Sequence, residues 1–478
     1  MTRISPMLLL AILAPAAISA QESPDCAQLL AGFKEKIEEN YAGFHLEVKD
    51  GRRDAYDATF RRLASRASTT SRDDCYIVLD DFVRWFEDPH LFVFQSTRLD
   101  SAEARRRTQN VRVTDVTERS VRARLSAATN VDPIEGIWND GRGLRLAVVP
   151  DPDALRRFMA VVVTSDTTTW SVGSVRASIA RGADGGYRVD LRARNHALQH
   201  LRASIHKDVI LRLSPGVWAR ELPPPPVPSL VDPTNPRRPT LVRRGGTVIV
   251  SLVSHDPTYA SYFDSLVTAN EAELGSADRL IVDLRGNEGG SSWMSNPLLP
   301  YIASRDQRAT PYDGGTAVML SSPAQIAYAR RGFGPDTSAF VRELISRLEA
   351  APGQLVPLPE SPSRPPDTLF VGPDRVGVIT DRGTVSASEV LVLAALRSTR
   401  AQVFGEPTAG ALDYPSVNIV RVHPDERRWL LGYPTLATSA ELPEGGMRGR
   451  GISPDVAVPV GGLWSAIEEI ERRLGAGN

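Results

Sequence analysis

Apolar positions organise this chain into stretches of different period. Near the N-terminus, Leu29, Leu30, Phe33, Ile37 and Tyr41 recur at three- and four-residue spacing, the signature of an amphipathic helix. The stretches Asp54 to Ala67 and Cys75 to Phe86 repeat it. Residues 21–98 therefore read as a helical N-terminal cap, closing at Glu87-Asp88-Pro89-His90.

Residues 99–221 change period. Short β-rich runs cover Leu144 to Val149, Phe158 to Val163, Trp170 to Ile179, Tyr187 to Leu191 and Val209 to Leu213. Turn signals such as Asn139-Asp140-Gly141 and Ala183-Asp184-Gly185-Gly186 separate them. An antiparallel sheet or small barrel is expected, with Trp138, Trp170 and Trp218 as core aromatics. Residues 222–239 hold Pro223 to Pro226, Pro228, Pro233, Pro236 and Pro239, a composition that favours extended backbone and reads as a linker.

Residues 240–478 alternate strand and helix patterns. Strands are predicted over Thr247 to Val253, Arg279 to Leu284 and Arg375 to Thr380. Helices are predicted over Ser261 to Leu274, Thr337 to Ala350, Ala387 to Ser398 and Leu463 to Arg473. Such alternation argues for an α/β core with largely parallel strands. Pro352 to Pro373 reads as a surface excursion, and no internal repeat is present.

Composition adds location and narrows chemistry. The chain has 478 residues and a formal net charge of -1, so no bulk electrostatic case exists for nucleic acid. Residues 1–20 read as a signal peptide: Arg3, an apolar run from Met7 to Ile18, and a small-residue site at Ile18-Ser19-Ala20. That run is too short to span a bilayer, and a periplasmic or secreted protein is expected. The two cysteines, Cys26 and Cys75, then suggest one disulfide. Lys is confined to Lys34, Lys36, Lys49 and Lys207.

Two motifs carry chemistry. In Thr384-Val385-Ser386-Ala387-Ser388-Glu389, Ser386 lies between the apolar run Val376 to Ile379 and the apolar helix Val390 to Leu396. A hydroxyl there sits beside the free N–H groups of a helix start, where a developing anion is stabilised. The same spacing of Ser386 and Glu389 also fits a plain capping box. The second motif is the run Leu280 to Gly290, an apolar strand entering a turn with Gly286, Gly289 and Gly290. It lacks the Gly-Lys-Ser/Thr ending of a phosphate loop and the spacing of a dinucleotide fingerprint.

The order Asp-Leu-Arg-Gly-Asn-x-Gly-Gly, Ser-Ala-Ser-Glu, then Phe404 to Gly410, then Gly449 to Asp455, resembles the tail-specific (C-terminal processing) serine peptidases and their tricorn-core relatives. The resemblance covers roughly residues 240–460 and extends weakly to Asp88-Pro89-His90. It implies a ClpP/crotonase-like α/β catalytic core with Ser386 as nucleophile. It implies an oxyanion hole from the N–H groups of Ala387 and Gly286. The bacterial members place a base Lys where this chain has Ala411, and no Lys follows Lys207. The tricorn type instead uses a His N-terminal to the nucleophile, which falls on His90. His255 and His423 are rivals for that role. Glu444 is the expected orienter of the base, with Asp413 as the other option. The tricorn pattern has a Ser before its His, where this chain has Pro89.

The middle region shows no carboxylate-binding loop of a PDZ module and is closer to a lipocalin-like insert. There is no His-Glu-x-x-His and no Gly-x-Ser-x-Gly. No metal or cofactor is expected. The reading is an exported serine peptidase acting on peptide or protein substrates through Ser386. Two alternatives stay open: a serine esterase on the same core, and a ligand- or lipid-binding protein, since the family includes retinoid-binding members.

Overall fold

The computed structural model describes residues 24–97, 105–106, 108–155, 157–165, 169–182, 185–213, 216–313, 315–332, 339–359 and 372–475. The expected signal peptide and most of the Pro352 to Pro373 stretch lie outside them. Among the described residues no helix is long and apolar enough to cross a membrane.

The N-terminal helices are Cys26–Asn40, Ala42–Glu47, Asp50–Ala67 and Tyr76–Arg84. Asp25 starts the first with a capping box, its side chain accepting the Gln28 N–H. Cys26 and Cys75 form a disulfide that staples this helix to the start of the fourth. The helices do not close a core by themselves. Phe33, Ile37, Tyr56, Phe82 and Phe86 pack with Trp429, Leu431 and Tyr433 from far along the chain. Strand β1 (Phe92–Gln95), inside the stretch read as purely helical, completes this unit. It pairs antiparallel with Trp429–Pro434, which pairs in turn with Val417–Arg421.

After the helix Glu118–Ala127 come eight strands: β2 (Gly136–Asn139), β3 (Arg145–Pro150), β4 (Arg157–Thr164), β5 (Val175–Arg181), β6 (Tyr187–Arg192), β7 (Leu198–His206), β8 (Ile210–Leu213) and β9 (Gly216–Leu222). They close into a barrel in which β2 pairs with β9. Leu146, Val148, Val162, Ala203 and Trp218 share its inner cluster with Trp138 and Trp170, as expected of core aromatics. Alternation sends Ala147, Val149 and Val161 to a separate, outer cluster. Trp170 itself precedes β5, which begins only at Val175.

The Pro-rich stretch is not a bare spacer. Leu230 and Val231 are buried in one cluster with Val209, Ile210 and Val217 of the barrel and Ile249 of the following sheet. Proline content thus did not decide exposure.

The C-terminal half begins with the hairpin β10 (Thr240–Arg244) and β11 (Thr247–Ser251), followed by β12 (Arg279–Asp283). A small pair, β13 (Val318–Leu320) and β14 (Leu355–Pro357), precedes β15 (Arg375–Thr380) and β16 (Ala401–Gly405). The remaining strands are β17 (Val417–Arg421), β18 (Trp429–Pro434) and β19 (Val456–Ala457). One six-stranded sheet has the order β10-β11-β12-β15-β16-β19 and is parallel except for its first hairpin. Both faces are covered, which is what a parallel sheet requires. Val248, Val250, Leu280, Val282, Val376 and Val378 face one cluster. Ile249, Ile281, Ile379 and Phe404 face the other, with the helix Ser465–Gly475 and the barrel. The segment predicted as one helix from Ser261 to Leu274 is two, Ala260–Ala269 and Glu271–Gly275, with Asn270 between them.

Candidate active site

Parallel α/β sheets bind ligands beyond the carboxyl ends of their strands. Two turns leave the sheet at that edge. One follows β12 and carries Arg285 to Gly290. The other follows β15 and carries Asp381 to Ser386.

Ser386 is the residue before the helix Ala387–Arg397, with φ 59° and ψ -116°. A non-glycine residue at positive φ is strained, and such strain concentrates at functional positions. Its surroundings over-determine it. Glu389 is fully buried, and its carboxylate accepts the Ser386 N–H at 2.7 Å, the arm of the predicted capping box. The same carboxylate accepts from Ala411 N at 3.0 Å, Gly410 N at 2.7 Å and Thr408 Oγ1 at 2.6 Å. Burial pushes the Glu389 carboxyl up, against the pull of these donors. The segment Phe404 to Ala411, singled out in the sequence, is thus the wall that Glu389 holds against the Ser386 turn. Ala387 opens the helix, so its N–H has no intrahelical acceptor.

The glycine turn meets Ser386 through Gly289. A Cβ on Gly289, at φ 86°, would lie 2.8 Å from Ser386 Cβ and 3.0 Å from Ala387 N. Asn287 sets this register. Its carbonyl accepts from Val385 N and Ser388 Oγ, and its side-chain oxygen accepts from Gly289 N at 2.9 Å. Gly286 is placed differently from the expectation. Its N–H donates to Asp381 Oδ1 at 3.0 Å, and its α-carbon packs against His206. That amide is already partnered in this arrangement, as is the Gly289 N–H on Asn287 Oδ1. The glycine beside Ser386 is Gly289, and the sequence carried no signal to choose among the three.

His90 follows a turn in which Glu87 has φ 55°. Asp88 shapes it, accepting the His90 N–H at 2.8 Å and the Tyr41 hydroxyl at 2.7 Å. Burial raises the Asp88 carboxyl to about 6, with His90 and Tyr41 pulling the other way. Nδ1 of His90 lies 2.8 Å from the carbonyl oxygen of Tyr414. A carbonyl can only accept, so Nδ1 carries the proton and Nε2 of the neutral ring carries the lone pair. Nδ1 of His90 thus meets the Tyr414 carbonyl and not Glu444, which is exposed. Asp413 is also committed elsewhere, accepting Met447 N and Arg448 N. Around His90, Tyr414 donates its hydroxyl to Glu47, and Arg448 pairs with Glu47 as well.

Ser386 and His90 are tied to opposite ends of one short segment. Glu389 holds Gly410 and Ala411, while Tyr414 holds His90. The three steps from Ala411 to Tyr414 reach at most about 11 Å.

The rival histidines are placed otherwise. His255 is fully buried, its Nδ1 on Asn287 Oδ1 at 3.1 Å and its Nε2 on Ser295 Oγ at 2.6 Å. Burial pushes it down to about 4, which makes it a neutral brace under the glycine turn. His423 is half-buried, with Nδ1 accepting the Asp425 N–H at 3.2 Å. Lys207 is fully buried on Asp283 at 3.1 Å and Ser251 at 3.0 Å. Sequence reasoning gave no role to His206, whose Nδ1 lies 2.6 Å from Asp381 Oδ2 and whose Nε2 lies 2.7 Å from Ser204 Oγ.

Comparison with known proteins follows the same lines. Residues 249–458 match the family model of peptidase family S41. No curated protein matches the sequence. Among solved structures, mature CPAF complexed with lactacystin overlaps 94% of this chain and 97% of its own, at 14% identity and a TM-score of 0.47. A putative peptidase from Parabacteroides merdae ATCC 43184 overlaps 95% of this chain and 98% of its own, at 14% identity and a TM-score of 0.42. The photosystem II D1 C-terminal processing protease overlaps 96% and 98%, at 14% identity and a TM-score of 0.37. Likenesses this distant say nothing of activity, and the family match is what bears on it. The match of residues 249–458 to peptidase family S41 supports one coarse conclusion: the chain is a serine-type peptidase.

Proposed function

We propose that this chain is an exported peptidase that cleaves peptide bonds through an acyl-enzyme on Ser386, with His90 as general base. The observation that carries the reading is the backbone of Ser386. It is held at φ 59° and ψ -116° on a strand-to-helix turn by a buried carboxylate. A plain N-cap has no need of such strain, whereas a sharp turn is how a nucleophilic serine is presented.

In this reading, Ser386 Oγ attacks the peptide carbonyl while His90 Nε2 takes its proton. The new oxyanion is received by the Ala387 N–H and by a second N–H from the glycine turn. The imidazolium protonates the leaving amine, and the C–N bond breaks. Water then attacks the ester with the same base and frees Ser386. The Tyr414 carbonyl plays the orienting part that a carboxylate plays in a Ser-His-Asp triad. With Lys207 buried on Asp283, the activation is of the tricorn-like His type rather than a Ser–Lys dyad.

The six-stranded sheet is read as a ClpP/crotonase-like core over residues 240–478, with the barrel of residues 99–221 as an insert. Export is supported by the Cys26–Cys75 disulfide, a bond kept in oxidising compartments. A panel of peptides and simple esters, assayed with wild type and Ser386→Ala, tests the function. Peptide cleavage lost in Ser386→Ala is the expected result. Ester turnover with no peptide cleavage would transfer the protein to the esterases.

A further inference from the structure

The barrel reaches into the two turns that build the Ser386 site, and it does so through one hairpin. Leu201, Ala203 and Ile205 of β7 pack with the barrel's inner cluster. His200, Arg202, Ser204 and His206 alternate with them and so point outward. His206 stands at the end of this row. Its Nδ1 lies 2.6 Å from Asp381 Oδ2. The other oxygen of Asp381 accepts from Gly286 N at 3.0 Å and from Gly383 N at 2.9 Å. One carboxylate thus joins the hairpin, the glycine turn and the turn that leads to Ser386.

The imidazole also fills the space between those turns. A Cβ on Gly286 would lie 2.9 Å from its Cγ, and a Cβ on Gly383 would lie 2.3 Å from its Cε1. Two further residues of the hairpin engage the same region. Lys207 pairs with Asp283 at the end of β12, and Arg212 of β8 pairs with Glu288 inside the glycine turn. The hairpin therefore grips the glycine turn at its base, middle and tip.

We infer that the β7–β8 hairpin is a positioning element for catalysis, with His206 as the residue that fixes the glycine turn and the Asp381–Ser386 turn relative to one another. The inference rests on the reading of Ser386 as nucleophile and adds a function for the barrel. The chain Ser204–His206–Asp381 has the order of a catalytic triad, but its ring is buried between two backbone turns. Nδ1 donates to Asp381 while Nε2 meets the Ser204 hydroxyl, and the row acts as a brace. A misplacement near 1 Å between nucleophile and oxyanion donors costs on the order of 10²-fold in rate.

The test is the steady-state kinetics of three variants, with fluorophosphonate labelling located by peptide mass spectrometry. His206→Asn places an amide nitrogen near the old Nδ1 and keeps the donor to Asp381. His206→Gln and His206→Ala do not. His206→Ala and His206→Gln should lose about 10²-fold in kcat with KM within about threefold, while His206→Asn stays within about tenfold of wild type. Should His206→Ala fail to fold, the Asn and Gln pair still decides. Equal kcat in Asn and Gln variants, with Ser386 labelled in wild type, would overturn the hairpin's role alone. An adduct on Ser204 would overturn it too, since the row would then be a reactive triad. No adduct on Ser386 in wild type would remove the nucleophile itself, and this inference with it.

Discussion

The carbonyl oxygen of Tyr414 lies 2.8 Å from Nδ1 of His90, and it fixes the tautomer of a ring supplied by a different part of the chain. With Nδ1 protonated, Nε2 is the basic nitrogen. Removing it should cost what removing a general base costs. His90→Ala is expected to lower kcat by about 10³-fold or more, with KM changed little. A kcat within about threefold of wild type would take His90 out of the mechanism.

Glu389 is the support under Ser386. Its carboxylate satisfies three backbone N–H groups and the Thr408 hydroxyl in a fully buried site. Glu389→Ala strands these donors, and each buried donor left unpaired costs about 1–3 kcal/mol. Urea unfolding should show a loss above about 3 kcal/mol. A loss under about 1 kcal/mol would mean the loop is held by other contacts.

Gly289 leaves no room for a side chain against Ser386. Gly289→Ala should push Ser386 and the Ala387 N–H away from the glycine turn and lower kcat on the order of 10²-fold. Gly353 has a similar φ of 75° with open space around it, so Gly353→Ala serves as the control for backbone strain alone. That control should lose about 1 kcal/mol of stability and keep wild-type kcat.

His255 makes stability depend on pH in one direction. Its folded pKa is held down to about 4 by burial, below the ordinary value of 6.5. Above pH 6.5 it is neutral in both folded and unfolded chains. As pH falls from about 6.5 to about 4, the unfolded chain binds the proton first, so stability declines. The part owed to His255 is on the order of 3 kcal/mol. Comparing urea midpoints of wild type and His255→Gln at pH 7 and pH 4.5 checks this. An equal drop in both would assign the acid sensitivity to other groups.

The sequence made some of this legible and hid the rest for identifiable reasons. The strand-turn-helix around Ser386 was readable because an apolar run ends in Asp381-Arg382-Gly383 and a second apolar run begins at Val390. The helix positions at Leu29, Phe33 and Ile37 were readable from spacing, although their burial against Trp429 and Tyr433 was not. Strand β7 escaped notice because its outer row is polar. His200, Arg202 and His206 look like a solvated face, yet they meet Tyr76, Asp80 and Asp381. Which glycine lies against Ser386 was not readable, because a side chain, Asn287, sets how the turn folds back. A partner for His90 was expected among carboxylates such as Glu444, whereas its Nδ1 meets the Tyr414 carbonyl, and backbone groups leave no trace in residue type.

One labelling experiment tests the role of Ser386 most directly. The protein is treated with an active-site fluorophosphonate, digested, and mapped by mass spectrometry in wild type and in Ser386→Ala. A single adduct on the peptide containing Ser386, slowed in His90→Ala and absent from Ser386→Ala, is the predicted result. Labelling that persists in Ser386→Ala, or that never reaches Ser386 in an enzyme cleaving peptides, would contradict it.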